Sequence, residues 1–81
     1  MNEKKKQINV GDYKFRIGDL VTDLYSRDVG VVIERYENIY GYGPTYTIYL
    51  QEISPFTGLN RIVNIVEASL ILLQPVVDND V

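Results

Sequence analysis

The sequence predicts an all-β domain, a small barrel of five to six short antiparallel strands with an added N-terminal hairpin. Apolar residues fall in short runs broken by Gly, Pro, Asn or Asp, and no window keeps a helical period for three turns. The chain has 81 residues, of which 46% are hydrophobic, so it suffices for one packed core and is too short for two domains.

Charge divides the chain into a body and two tails, although the net formal charge is only -3. Residues 1–7 form a basic N-terminal tail that carries Lys4, Lys5 and Lys6, and residues 76–81 form an acidic C-terminal tail. Residues 8–75 are expected to fold as the single domain. This body carries a negative charge, and a surface of that sign repels the phosphates of nucleic acids.

The first two hairpins are predicted from their turns. Ile8–Val10 and Tyr13–Phe15 flank a Gly-Asp dipeptide, and a two-residue loop that begins with glycine suits a type II′ turn. Leu20–Tyr25 leads through a polar turn into the long strand Val29–Tyr36. We expect these two strands to pair as the next hairpin.

The middle of the chain combines an aromatic-tipped loop with the most regular strand. Residues Glu37–Pro44 contain two glycines, a proline and two tyrosines, a composition typical of a loop. Strict alternation follows over Thr45–Gln51. Tyr46, Ile48 and Leu50 share one face of that strand, and this face is the expected core face because its side chains are larger and more apolar.

The last third of the chain predicts a third hairpin and a closing strand. Ser54–Gly58 is a turn by composition, and Asn60–Ile65 returns from it as the partner strand. Val66–Ser69 suits a single 3₁₀ turn before the short strand Leu70–Leu73. Apolar residues fall on both faces of Ile62–Val66, which indicates that a partner covers the outer face of this strand.

The composition limits the available chemistry. The chain has no cysteine and no histidine, which removes disulfides, thiolate metal sites, the commonest general base and the commonest metal ligand. Asp19, Asp23 and Asp28 lack the spacing of a calcium-binding loop, and Asp19 is expected to cap a turn instead. We therefore expect no enzyme activity, no catalytic residue, no bound metal and no cofactor.

Three short motifs resemble those of SH3-like and KOW-like small barrels. Phe15–Val21 resembles the opening motif, Gly30–Glu34 resembles the glycine-led strand after it, and Glu67–Leu72 resembles the closing turn and strand. The resemblance implies an SH3-like barrel of the kind found in small proteins of tailed bacteriophages and in ribosomal and transcription proteins. The N-terminal hairpin is additional to that pattern, and the basic loops expected of a KOW module are missing.

Tyrosines are the candidate contacts for a partner. The chain has seven tyrosines and no tryptophan, and tyrosine offers a large contact area at low entropic cost. The expected partner-binding residues are Tyr36, Tyr40, Tyr42 and Tyr49. Tyrosine is also common in β-strands, and Tyr25 and Tyr46 are expected to pack in the core.

Two functions are compatible with this pattern. The first is a protein–protein interaction module, a small bacteriophage structural (virion) or accessory protein docked on a larger assembly, with a homo-oligomer left open. The alternative is a KOW-type nucleic-acid-binding or transcription-regulating module, whose contacts would be Lys4, Lys5, Lys6, Arg16, Arg35 and Arg61. The sequence has no signal segment or membrane span, so synthesis in the cytoplasm, incorporation into a virion and no membrane partner are expected.

Overall fold

The computed structural model describes residues 13–37 and 41–77, which form one antiparallel sheet. Its five strands are β1 (Leu20–Asp23), β2 (Val29–Tyr36), β3 (Thr45–Ile53), β4 (Asn60–Val66) and β5 (Leu70–Gln74). A 3₁₀ turn at Glu67–Ser69 joins β4 to β5. No helix within the described residues has the length and apolar character needed to cross a membrane.

The strands are ordered β4-β3-β2-β1-β5, so the last strand pairs with the first. Antiparallel hairpins link β1 to β2, β2 to β3 and β3 to β4, and within the described part of the chain only the β1–β5 contact joins strands distant in sequence. Among the described residues β4 and β5 are the two edges of the sheet, with no pairing between them. The all-β prediction is confirmed, with five strands in one sheet.

One face of the sheet carries the core. Its almost completely buried side chains come from β1, β2, β3, β5 and the segment before β1: Phe15, Val21, Val32, Tyr46, Ile48, Leu50 and Leu70. The alternation along β3 predicts this face correctly. On β4, Val63 and Ile65 pack against the same cluster, which leaves Ile62 and Val66 on the opposite side because successive strand residues alternate.

Near the end of β3 the register with β4 shifts, and a side chain supplies hydrogen bonds at the shift. The pairing moves from Tyr49 opposite Ile62 to Ile53 opposite Asn60. The Asn60 side-chain amide donates to the backbone oxygen of Leu50 at 2.8 Å and to that of Gln51 at 3.3 Å. These bonds satisfy carbonyl groups that the irregular ladder would otherwise leave without a strand partner.

The prediction of an N-terminal hairpin is wrong for its second arm, because residues Tyr13–Phe15 form no strand. The backbone N–H of Lys14 donates to Glu67 Oε2, and that of Phe15 donates to the Tyr46 hydroxyl. These two backbone N–H groups, which would bond to the partner strand in a hairpin, therefore bond to side chains that are distant in sequence. The first arm, Ile8–Val10, lies outside the described residues.

The predicted strand Leu20–Tyr25 is two residues too long, and the core assignment of Tyr25 is wrong. Strand β1 ends at Asp23, whose carboxylate accepts hydrogen bonds from the Tyr25 N–H and the Ser26 hydroxyl. These bonds start a turn. In that turn Arg27 adopts a φ of 67°, and the Tyr25 side chain is 82% exposed.

Gly30 marks a close approach of β2 to β3 and gives a test of the packing of the sheet. A Cβ at this position would lie 2.5 Å from the Tyr49 oxygen and 2.5 Å from Ile48 Cγ2. Replacing Gly30 with alanine is expected to lower the free energy of unfolding by about 3 kcal/mol through overpacking. The measurement is urea denaturation followed by far-UV circular dichroism.

Gly58→Ala is the matched control for this test. Gly58 has a φ of +74°, and a Cβ there would meet nothing within 4 Å, so alanine costs only the backbone strain of about 1 kcal/mol. A Gly30→Ala loss no larger than the Gly58→Ala loss would contradict the close approach of β2 to β3.

Candidate interaction surface

An apolar row crosses the face of the sheet opposite the core, here called the outer face. Leu20 lies opposite Val31, Val31 lies opposite Tyr49, and Tyr49 lies opposite Ile62. Directly opposed residues of antiparallel strands project on the same face. These four residues, the outer row, therefore line up across β1, β2, β3 and β4.

Exposure within the outer row increases towards β4. Leu20 and Val31 are half-buried, Tyr49 is 44% exposed and Ile62 is 57% exposed. The Tyr49 hydroxyl donates to Asn60 Oδ1 at 3.1 Å, which orients the ring over the strand pair. An oriented aromatic ring beside an exposed isoleucine is the composition that protein interfaces favour.

Two of the predicted tyrosines share the outer face. Tyr36 lies opposite Thr45 on the side of β3 that also carries Tyr49, and its hydroxyl donates to the Glu34 carboxylate. Thr45 and Tyr49 are four positions apart on β3, which corresponds to about 13 Å along the strand. Between them, the Thr47 hydroxyl donates to Asn64 Oδ1 at 2.7 Å.

The other two predicted tyrosines lie between β2 and β3 in the sequence. Tyr42 is 74% exposed between Gly41 and Gly43, whose φ values are +82° and +94°. Glycine is the residue that adopts such angles at little cost, so this loop is shaped by its glycines. Tyr40 lies outside the described residues. The structure therefore groups Tyr36 with Tyr49 and leaves Tyr42 on the loop.

On the core face of β3, the Tyr46 hydroxyl is hydrogen-bonded to two other segments of the chain. Its buried hydroxyl donates to Glu67 Oε2 at 2.5 Å and accepts the Phe15 N–H at 3.2 Å. The Phe15 ring meets the Tyr46 ring edge to face, with centroids 5.3 Å apart. Burial, reinforced by the bond to Glu67, raises the pKa of Tyr46 well above its ordinary range. The core prediction for Tyr46 is confirmed.

Asp19 caps a turn, as the sequence predicts. This carboxylate is 3% exposed and accepts hydrogen bonds from the backbone N–H groups of Arg16 and Val76. Its Oδ2 closes the turn before β1, and its Oδ1 fastens the chain after β5. No group of three carboxylates within residues 13–37 and 41–77 could hold a metal ion.

The predicted nucleic-acid contacts do not converge within the described residues. The Arg35 guanidinium lies 4.6 Å from the Tyr13 ring centroid and donates to the Phe15 oxygen. Arg61 pairs with Glu52 at 2.9 Å near the far end of β3. Arg35 is opposite Tyr46, and Tyr46 is opposite Ile65 on β4, four residues from Arg61. The two arginines are therefore about 13 Å apart along the strand direction and two strands apart across the sheet.

The other predicted nucleic-acid contacts do not form a cluster of basic side chains within the described residues. Arg16 lies in the turn before β1, where its backbone N–H is bound by Asp19. Lys4, Lys5 and Lys6 lie outside the described residues. The part of the chain that the structure describes contains no cavity.

Sequence reasoning missed Leu20 and Val31 as members of this surface. Both lie beside a buried neighbour, Val21 or Val32, so consecutive apolar residues hide the alternation. Only the strand register shows which member of each pair faces outwards.

No known protein-family model matches the chain, and comparisons with curated proteins and with solved structures find no match.

The Tyr46 hydroxyl is expected to be important for stability. Tyr46→Phe leaves the buried Phe15 N–H without its acceptor, which should lower the free energy of unfolding by about 1–3 kcal/mol. Tyr49→Phe is the control, because its hydroxyl bond to Asn60 is exposed and should contribute less than about 0.5 kcal/mol. Chemical denaturation of the two variants and the wild type measures both values. Equal losses would contradict the special role of Tyr46.

The raised pKa of Tyr46 predicts a specific loss of stability in alkali. Above about pH 10 an unfolded tyrosine ionises, whereas Tyr46 in the folded chain stays protonated because it is desolvated. Its contribution is thus complete below about pH 10 and declines at about 1.4 kcal/mol per pH unit above it. Urea denaturation across this range should show the decline in the wild type and a smaller one in Tyr46→Phe. If the free energy of unfolding falls equally with pH in the wild type and in Tyr46→Phe, the raised pKa of Tyr46 is contradicted.

Proposed function

We propose that this chain is a non-enzymatic SH3-like module that binds a protein partner through its outer face. The outer row is the single observation that carries the proposal. It extends over four strands, and its two most exposed members, Tyr49 and Ile62, lie directly opposite each other. Placing them in water has a cost that burial against a partner would remove.

The strand arrangement supports the SH3-like part of the proposal. A long second strand, three hairpins in succession and a one-turn connection before a last strand that returns to the first are the features of this small barrel. Phe15–Val21 covers the turn before β1 and the start of that strand, and Glu67–Leu72 covers the 3₁₀ turn and the start of β5. These are two of the segments whose sequences resemble SH3-like motifs. In the proposed barrel the sheet curves around the core cluster.

Charge favours a protein partner over a nucleic acid. Residues 13–37 and 41–77 contain five cationic and seven anionic side chains. Beside the outer row lie the polar pair Thr47 and Asn64 and the carboxylate of Glu34. Binding to phosphate needs cations on the contact face, and this face offers apolar and acidic groups instead.

The setting we propose is a larger assembly, a bacteriophage virion or an accessory complex of a phage. Support for this setting comes from the resemblance to small phage-encoded barrels and from the small size of the chain. An 81-residue domain without disulfides has a limited core. Burial of the outer row in an assembly would add to the stability that this core supplies.

Affinity capture from the native source tests the proposed function. A tagged wild-type chain, with nuclease present, should retain one or two proteins in stoichiometric amounts. Ile62→Lys places a charge in the outer row and should reduce the recovery at least tenfold. Leu59→Lys is the control, since Leu59 is 69% exposed in the turn between β3 and β4 and lies outside the row. Both variants should keep the wild-type melting temperature.

Two outcomes would contradict the proposal. Equal recovery with Ile62→Lys and with wild type would show that the outer row does not bind the partner. Recovery that disappears on nuclease treatment would favour the nucleic-acid alternative, with contacts in the basic tail of residues 1–7.

A further inference from the structure

Among residues 13–37 and 41–77, strand β5 forms an edge of the sheet that lacks the usual protection of edge strands. Its three central residues are all exposed, Ile71 at 44%, Leu72 at 42% and Leu73 at 49%. Residues 69–77 contain no charged side chain. Natural edge strands commonly carry lysines or other charges that prevent pairing with another strand, so an apolar edge of this kind is suited to accept a second strand.

Leu72 provides the hydrogen-bonding groups for such pairing. The Leu24 N–H donates to the Ser69 oxygen at 2.8 Å, and the same register places Thr22 opposite Ile71 and Val21 opposite Leu72. Because bonded and non-bonded pairs alternate along an antiparallel ladder, the N–H and C=O of Ile71 point towards β1. Those of Leu72 point away from it, towards the open edge.

The sequence of β5 is self-complementary about Leu72. An antiparallel copy centred there sets Leu72 opposite Leu72 of the second copy, and Ile71 opposite Leu73 of the second copy. Every central pair is then apolar. Leu73 also has no residue opposite it on β1, because the register shifts between Leu20 and Val21. Its side chain is therefore available to the second copy.

We propose that β5 pairs with β5 of a second copy of this chain, across a two-fold axis at Leu72. Two backbone hydrogen bonds would join the two Leu72 residues, and the sheets of the two copies would form one continuous sheet. A two-fold contact uses one surface twice, which is the commonest symmetry of soluble oligomers. This inference concerns the sheet edge and does not depend on the outer row.

The other edge of the sheet is a weaker candidate. Strand β4 carries Arg61, which is paired with Glu52, and the polar Asn60 and Asn64. Its apolar residues Val63 and Ile65 are already packed against the core. If β4 paired with β5 of another copy, the pair of chains would still have one unpaired β4 edge and one unpaired β5 edge. Further copies could add to these edges, so such pairing would produce rings or filaments rather than a dimer.

The expected dimer is concentration-dependent. Two five-residue strands form a contact below the size of a standard stable interface, which buries about 1,600 Å² in total. Sedimentation velocity of the full chain, from micromolar to millimolar concentration, should therefore show a shift from monomer to dimer. Leu73→Lys should raise the dissociation constant at least tenfold, because it introduces an edge lysine. Leu59→Lys should leave the dissociation constant unchanged.

A cysteine at the proposed axis tests the register directly. The chain has no cysteine, so Leu72→Cys introduces a single thiol. Directly opposed residues of a hydrogen-bonded pair have Cα atoms about 5.5 Å apart, a separation that a disulfide spans. Mild oxidation should convert Leu72→Cys largely to a covalent dimer, whereas the equally single-thiol Leu59→Cys should remain monomeric. Circular dichroism confirms that each variant is folded.

Each alternative result would overturn the proposal. A wild-type chain that stays monomeric at millimolar concentration has no β5 contact. A ring or filament would indicate pairing of β4 with β5. A dimer that is unaffected by Leu73→Lys and is not linked through Leu72→Cys uses another surface. Loss of the dimer in Ile62→Lys, with Leu73→Lys unaffected, would assign self-association to the outer row.

Discussion

The fold depends on one buried hydroxyl group. Tyr46 is fully buried at the end of the core, and a polar atom there must be hydrogen-bonded because its desolvation would otherwise be uncompensated. Its two partners come from opposite ends of the described chain, the Phe15 backbone and the Glu67 carboxylate. The hydroxyl therefore fixes where the segment before β1 crosses the sheet and where the 3₁₀ turn lies.

The same constraint explains which parts of the fold the sequence predicts. Strand β2 has the predicted bounds, and the core face of β3 follows from its alternation, because local pattern alone decides both. The fate of Tyr13–Phe15 is decided by Tyr46 and Glu67, which are more than 30 residues away in sequence. Local pattern cannot predict a segment whose hydrogen-bond partners are that distant, so the hairpin prediction fails there.

The outer face was predictable only in part, for a related reason. The sequence alone shows that Tyr49 faces outwards, because strict alternation continues through β3. It also shows that β4 has apolar residues on both faces, because the alternation fails in that strand. Leu20 and Val31 need the register of three strand pairs, which includes shifts at Ile33 and beyond Tyr49. A register shift changes which residues face each other. The row is therefore a property of the assembled sheet rather than of any one strand.

The outer row and the β5 edge are compatible with simultaneous use. Two antiparallel strands in one sheet are related by an axis perpendicular to the sheet, so a dimer formed through β5 places both outer faces on the same side. Each outer row then presents Tyr49 and Ile62 to one large surface. A partner with repeated sites could engage both rows together, and the second contact would be favoured by the high effective concentration that the first creates. A weak edge contact would thus be strengthened by the partner that the face binds, because both equilibria favour the same dimer.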